Sequence, residues 1–169
     1  EKALRAAMGI YDRPITLRDA YVVTELEVCN DKSEGSQFSD ISPLQYFPNL
    51  KKLSINSNLV SDITPLTNLT KLEYLDIHFN QITDLTPLSG MANLQNIFLP
   101  GNQIADLTPL AGLENLYSVD VQMNQIEDYS PLSNLPYLKQ LYISENPGTD
   151  YSVLEDIYPN LTDKDFEMN

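Results

Sequence analysis

Asn58, Asn80, Asn102, Asn124 and Asn146 follow one another at a constant interval of 22 residues. The same interval links Pro43, Pro65, Pro87, Pro109 and Pro131, and also Asp40, Asp62, Asp84, Asp106, Asp128 and Asp150. Three residue types with different backbone demands keep one period, so the chain must fold as a stack of equal units. A single unit cannot bury enough apolar surface to offset the ordering of its own backbone, and neighbours must share core and strand hydrogen bonds.

Within the unit, aliphatic residues hold a fixed frame: Leu72, Leu75, Ile77, Asn80, Ile82, and again Leu94, Ile97, Leu99, Asn102, Ile104. The central apolar-x-apolar triplet alternates with the period of a half-buried strand, which points Leu75 and Ile77 inward and Tyr74, Asp76 and His78 outward. Six strands are expected, centred on residues 27, 54, 76, 98, 120 and 142. Each is followed by Asp-(Ile/Leu/Tyr)-(Ser/Thr)-Pro-Leu, where Ser or Thr suits the N-cap of a short helical turn and Pro its first residue. Leu66, Leu69 and Leu72, spaced by three, return along the opposite side and meet the strand residues in the core.

The asparagine column, Asn58, Asn80, Asn102, Asn124 and Asn146, is expected to be a structural ladder, its amides pairing backbone groups at the strand-to-turn corner. The aspartate column has oxygen ligands that suit calcium, but with one residue per repeat it reads as a set of turn formers. The ends differ from the middle. Residues 1–25 are expected to form a helical N-terminal cap, with Leu4, Ala7 and Met8 on one face, Gly9 as a stop, and Thr16 with Asp19 opening a second helix. Residues 26–146 carry the repeats, the first with five extra residues placed in the loop Lys32 to Ser39. Residues 147–169 form a C-terminal capping segment and acidic tail, with no clear strand after the convex stretch 150–161.

Charge excludes several functions. Asp and Glu number 24 against 10 Lys and Arg, for a net charge of -14, which repels nucleic acid and anionic membrane. One cysteine, Cys29, leaves no intramolecular disulfide, and one histidine, His78, no histidine-rich metal site. Cys29 falls at an outward position with no basic neighbour to activate it. No apolar run approaches the roughly 20 residues of a membrane span. Gly-x-Ser-x-Gly, a phosphate-cradling glycine loop and His-Glu-x-x-His are all missing. The expectation is a chain with no catalytic residues, cofactor or metal. A chain beginning at Glu1 is expected to be a processed or trimmed segment.

The frame L-x-x-L-x-L-x-x-N is the leucine-rich-repeat pattern. With its 22-residue unit I-x-D-L-T-P-L-x-x-L-x-x-L, carried by Ile82 to Leu94 with Met91 in one leucine place, the chain resembles the internalin-type leucine-rich-repeat proteins of Gram-positive bacteria. The likeness covers residues 40–154 closely. Leu4 to Ala7, followed by Ile15, Thr16 and Leu17, also resembles the N-terminal caps of bacterial surface repeat proteins. The resemblance implies an α/β solenoid, a right-handed horseshoe with a concave parallel sheet and short helical or 3-10 turns on its convex side. It further implies a secreted or cell-surface recognition protein, extracellular, commonly with further domains after the repeats. The unit also resembles the regulatory subunit of protein phosphatase 1, which would imply a cytoplasmic regulator; a rigid spacer within a larger protein is the third reading.

Function is expected at the outward strand positions, which the fold leaves free. Across the repeats these read Lys52, Tyr74, Asn96, Ser118, Gln140; then Ser54, Asp76, Phe98, Asp120, Tyr142; then Asn56, His78, Pro100, Gln122, Ser144. With strands about 4.8 Å apart, Phe98 sits between Asp76 and Asp120. Tyr74, Asp76, His78, Phe98, Asp120, Gln122 and Tyr142 form the candidate partner-binding patch, which Phe79 and Met123 extend one position further on. Aromatics among acids suit a basic or amphipathic protein or peptide, bound by a monomer. Pro100 is expected to remove a strand hydrogen bond.

Overall fold

The structure is a computed structural model that describes residues 2–29 and 37–168. Two short helices open it, α1 (Lys2–Met8) and α2 (Leu17–Val22). Gly9 ends α1 at φ 66°, a left-handed conformation that a residue without a Cβ adopts freely, and the Ile10 N–H returns to the Arg5 carbonyl at 3.0 Å. Leu4 and Met8 pack against the core, whereas Ala7 stays exposed. Thr16 caps α2 in a reciprocal box with Asp19. Arg13 and Thr16 both donate to that carboxylate and hold it well below the usual carboxylate range.

The repeats then lay down one parallel sheet in chain order: β1 (Glu25–Glu27), β2 (Lys52–Ser54), β3 (Tyr74–Asp76), β4 (Asn96–Phe98), β5 (Ser118–Asp120), β6 (Gln140–Tyr142) and β7 (Asp163–Lys164). From β2 to β6 the register is the repeat itself, so Leu53, Leu75, Ile97, Val119 and Leu141 lie side by side. That row and the next inward one (Ile55, Ile77, Leu99, Val121, Ile143) are fully buried. Leu66, Leu88, Leu110 and Leu132 close the same core from the convex side, each in a 3-10 turn such as Thr64–Leu66. Burial of each such side chain contributes about 1.5 to 3 kcal/mol.

Three expectations are corrected. The sheet has seven strands among the described residues, not six: the register takes one extra residue to pair Leu141 with Lys164. That offset puts a lysine where the frame has an inward leucine and hides the strand. Second, Ser and Thr do not N-cap the 3-10 turns: they are the first residues of the turns, and the cap position falls on Ile63, Leu85 or Leu107, whose side chains make no cap bond. The preceding aspartate takes that role, as Asp62 Oδ1 accepts the Thr64 N–H at 2.8 Å and Asp84 and Asp106 repeat the contact. Third, Pro100 breaks no ladder. Position 100 uses its carbonyl, which accepts from the Phe79 N–H at 2.8 Å, while the equivalent N–H of His78 and of Gln122 turns back to Asp76 or Asp120 in its own strand. Phe98 replaces that aspartate and Pro100 that N–H, so donor and acceptor vanish together.

Of the expected insertion Lys32 to Ser39, residues 32–36 lie outside the described residues. Beyond them Phe38 packs on the core, and its N–H donates to Asn58 Oδ1 at 3.3 Å.

Candidate functional site

The alternation that buries leucines turns the other side chains of β2 to β6 onto one continuous surface. The structure brings the expected patch together there, with unequal availability. Tyr74 and Phe98 are half-buried neighbours with ring centroids 5.4 Å apart. Lys52 Nζ lies over the free face of Tyr74, 5.1 Å from its centroid. Burial pushes the Tyr74 phenol up from its ordinary pKa, with Asp76 adding to the shift.

Asp76 is not an open carboxylate. It is 9% exposed and accepts from Ser54 Oγ at 3.2 Å, Asn56 Nδ2 at 3.2 Å and the His78 N–H at 3.3 Å, with His78 Nδ1 at 2.5 Å. Its expected place among the exposed groups is thus corrected: it orients His78, whose ring also stacks edge-on with Phe79 at 5.2 Å. Because the Ser54 hydroxyl donates to this carboxylate and not to the imidazole, no base is positioned to activate it.

Asp120 holds the same column position two strands on and has a different environment. Among the described residues its carboxylate accepts one hydrogen bond, from the Gln122 N–H at 3.2 Å. Burial pushes its pKa up, and the nearby Asp165 and Asp76 carboxylates add to that, while His78 opposes it. Gln122 is committed to Ser144 Oγ at 2.8 Å and Asp165 Oδ2 at 2.7 Å. Tyr142 donates to Asp163 Oδ2 at 2.5 Å, a bond that with burial pushes the phenol up to about 12.

Asp165 was not among the expected site residues. It accepts from the Ile143 and Ser144 N–H groups at 2.8 and 2.9 Å, taking the place of the neighbour's carbonyl that serves Ile77, Leu99 and Val121 and of the same-strand aspartate that serves His78 and Gln122. Burial raises its pKa, but the bonds from Ser144, Ile143 and Gln122 outweigh that and leave it lowered. Only the fold brings residue 165 beside residue 122, and no local pattern marks it. Ser118 was named as an outward position but not as a site residue. It is 1% exposed on the patch side of β5, and among the described residues its hydroxyl has no hydrogen-bond partner.

At the rim, Ser57, Phe79, Met123 and Glu145 stand at positive φ, each directly before a ladder asparagine. A bulky residue rarely adopts this conformation, yet Phe79 and Met123 do so while 44% and 43% exposed. The asparagine amides join repeats: Asn102 accepts from the Ile82 N–H and donates to the Ile77 and Leu99 carbonyls. A second ladder, absent from the expectations, runs on the convex side, where Asn93 and Asn115 donate to the Thr70 and Ala92 carbonyls. Cys29 is exposed, its thiol 3.4 Å from Ser54 Oγ. Among the described residues no group of three His, Cys, Asp or Glu side chains could hold a metal ion, and no helix is long and apolar enough to cross a membrane.

A one-layer parallel sheet backed by 3-10 turns, with a consensus asparagine after each of β2 to β6, defines the leucine-rich-repeat class. Residues 48–90 and 92–134 match the family model described as leucine-rich repeats in two copies, and the chain belongs to that family, with repeats of the internalin type. It is similar to an internalin, InlF, from Listeria monocytogenes, at 31% identity and a TM-score of 0.88 over 96% of this chain. It spans 47% of that relative's length. It is also similar to internalin C2 of the same species, at 25% identity and a TM-score of 0.61, covering 97% of this chain and 90% of that one. A Leptospira interrogans leucine-rich-repeat protein shares the fold alone, at 21% identity and a TM-score of 0.63 over 77% of this chain and 41% of that one. No curated protein matches the chain. Fold and family make this a protein–protein interaction module.

Proposed function

We propose that the chain is a non-catalytic recognition module of a bacterial cell-surface or secreted protein, and that it binds a basic or amphipathic protein segment on its concave face. The observation that carries this reading is the Tyr74–Phe98 pair, two half-buried rings at 5.4 Å on an open, regular sheet. Large aromatic surface held rigidly at a sheet centre is the kind that supplies most of the energy at protein interfaces. Asp120 lies in register beside Phe98, and Asp163 and Asp165 lie further along the same sheet beside β6, on a chain of net charge -14, which steers a cationic partner toward the face and repels an anionic one. The extracellular assignment rests on the likeness to the Listeria internalins.

The test is capture of bacterial and host-cell surface proteins on the immobilised chain, followed by direct affinity measurement for each candidate. Tyr74→Ala/Phe98→Ala should lower affinity by about 100-fold, since two interface aromatics at about 1.5 kcal/mol or more each are removed. A Tyr137→Ala variant, changed at an exposed side chain outside the sheet, should bind as the wild type. Equal affinity for all three proteins would defeat the reading.

A further inference from the structure

The concave acids are not equivalent. Asp76 is saturated by Ser54, Asn56 and His78, Asp165 by two backbone N–H groups and Gln122, and Asp163 receives the Tyr142 hydroxyl. Asp120 accepts one backbone bond at 3.2 Å, so a partly buried carboxylate is left with most of its acceptor capacity unused. In register beside it stands Phe98, and among the described residues no cation lies over that ring. One strand back the protein shows what such a ring accepts, because Lys52 Nζ sits 5.1 Å above Tyr74.

A second, independent feature adjoins the same spot. Ser118 precedes Asp120 by two residues on β5, so both side chains project from the same face. Its hydroxyl is buried and, among the described residues, unpartnered, an arrangement that costs free energy unless something supplies a bond.

Resting on the recognition surface described above, we propose that Phe98, Asp120 and Ser118 form a cation subsite that takes one arginine side chain of the partner. The guanidinium lies flat on the Phe98 ring and donates to the Asp120 carboxylate. Its planar fork carries five donors, enough to engage that carboxylate while leaving an N–H for the Ser118 hydroxyl once the Asn96 and Gln140 side chains flanking it in register move aside. Arginine fits better than lysine, since a compact ammonium cannot stack on the ring and span both oxygen sites.

The probe is an N-acetylated, C-amidated Gly-Arg-Gly tripeptide, titrated into the isotope-labelled chain at about 0.15 M salt, where long-range charge effects are screened, with Lys and citrulline analogues alongside. Amide shifts should concentrate on residues 96–98 and 118–120, the Lys peptide should bind several-fold more weakly, and the citrulline peptide should not bind. Asp120→Asn should weaken the Arg peptide by about tenfold or more and Ser118→Ala by about threefold, with melting curves showing both variants folded. Glu114→Gln, an exposed acid off the sheet, should change nothing. Shifts spread over the whole acidic surface, or equal losses in Asp120→Asn and Glu114→Gln, would overturn the subsite. If the peptide ignores Asp120 while partner capture still needs Phe98, the subsite falls and the recognition face stands. A peptide localised to Asp120 with partner capture indifferent to Tyr74 and Phe98 would sink the recognition face, and with it the seating of the partner's arginine on Phe98.

Discussion

The ring of Phe79 occupies the space that a side chain at residue 101 would fill: a Cβ built on Gly101 falls 2.3 Å from Phe79 Cδ1. Both residues stand at positive φ, 51° and 69°, at equivalent positions of adjacent repeats. The rim thus keeps an aromatic in an unfavourable backbone conformation by giving its ring the place vacated by a glycine.

Gly101→Ala should therefore destabilise the chain by about 1 to 3 kcal/mol, through backbone strain and displacement of the ring. Chemical denaturation of Gly101→Ala, Phe79→Ala and the double variant checks this. The double should cost less than the sum of the singles, because removing the ring opens room for the new methyl group. Strict additivity would show that the two residues do not meet.

Ser118→Ala should stabilise the free protein by about 1 kcal/mol, the cost of a buried unpaired hydroxyl. An unfolding midpoint lower than wild type would mean that the hydroxyl is paired in solution.

Asp165→Ala should unpair the Ile143 and Ser144 N–H groups and remove one of the two acceptors of Gln122 Nε2, which keeps Ser144 Oγ, at a cost of about 2 to 4 kcal/mol. Hydrogen exchange should quicken at Ile143 and Ser144 well before Ile97 or Val119 responds. Uniform loss of protection would assign Asp165 to global stability and not to closure of the sheet edge.

Acid should unfold the chain through its turns. The hydrogen bonds from Ser42, Thr64, Thr86, Thr108 and Ser152 hold the carboxyls of Asp40, Asp62, Asp84, Asp106 and Asp150 below their ordinary value of 3.8. Depressed folded-state values give stability that is present above the unfolded value and lost as pH falls through the folded one, so the acid limb should steepen below about pH 4. Asp120 has the opposite sign, since burial raises it: its ionised form penalises the fold at neutral pH, and protonation relieves the penalty on acidification. Asp120→Asn should raise the denaturation midpoint at pH 7, with the gain shrinking toward pH 4. A midpoint at or below wild type at pH 7 would count against an unpaired, partly buried charge.

Much of this architecture was legible in the chain because it rests on spacing. A 22-residue period with inward aliphatics and a corner asparagine determines the parallel register, the core rows and the outward columns, since side-chain alternation and strand hydrogen bonding are local rules. The Thr16–Asp19 box and the Gly9 stop were legible for the same reason. Other features depended on neighbours from different repeats. Asp76 and Asp120 share one place in the frame, yet Ser54, Asn56 and His78 fill the acceptor capacity of the first while the second keeps its own. The seventh strand escaped because one added residue placed Lys164 where a leucine was due, its ammonium 4.5 Å above the Tyr158 ring. Sequence by itself determined which side chains reach the concave face. Tertiary structure decided which of them remain free to bind, because that depends on hydrogen bonds between residues a full repeat or more apart, whose pairing no single repeat encodes.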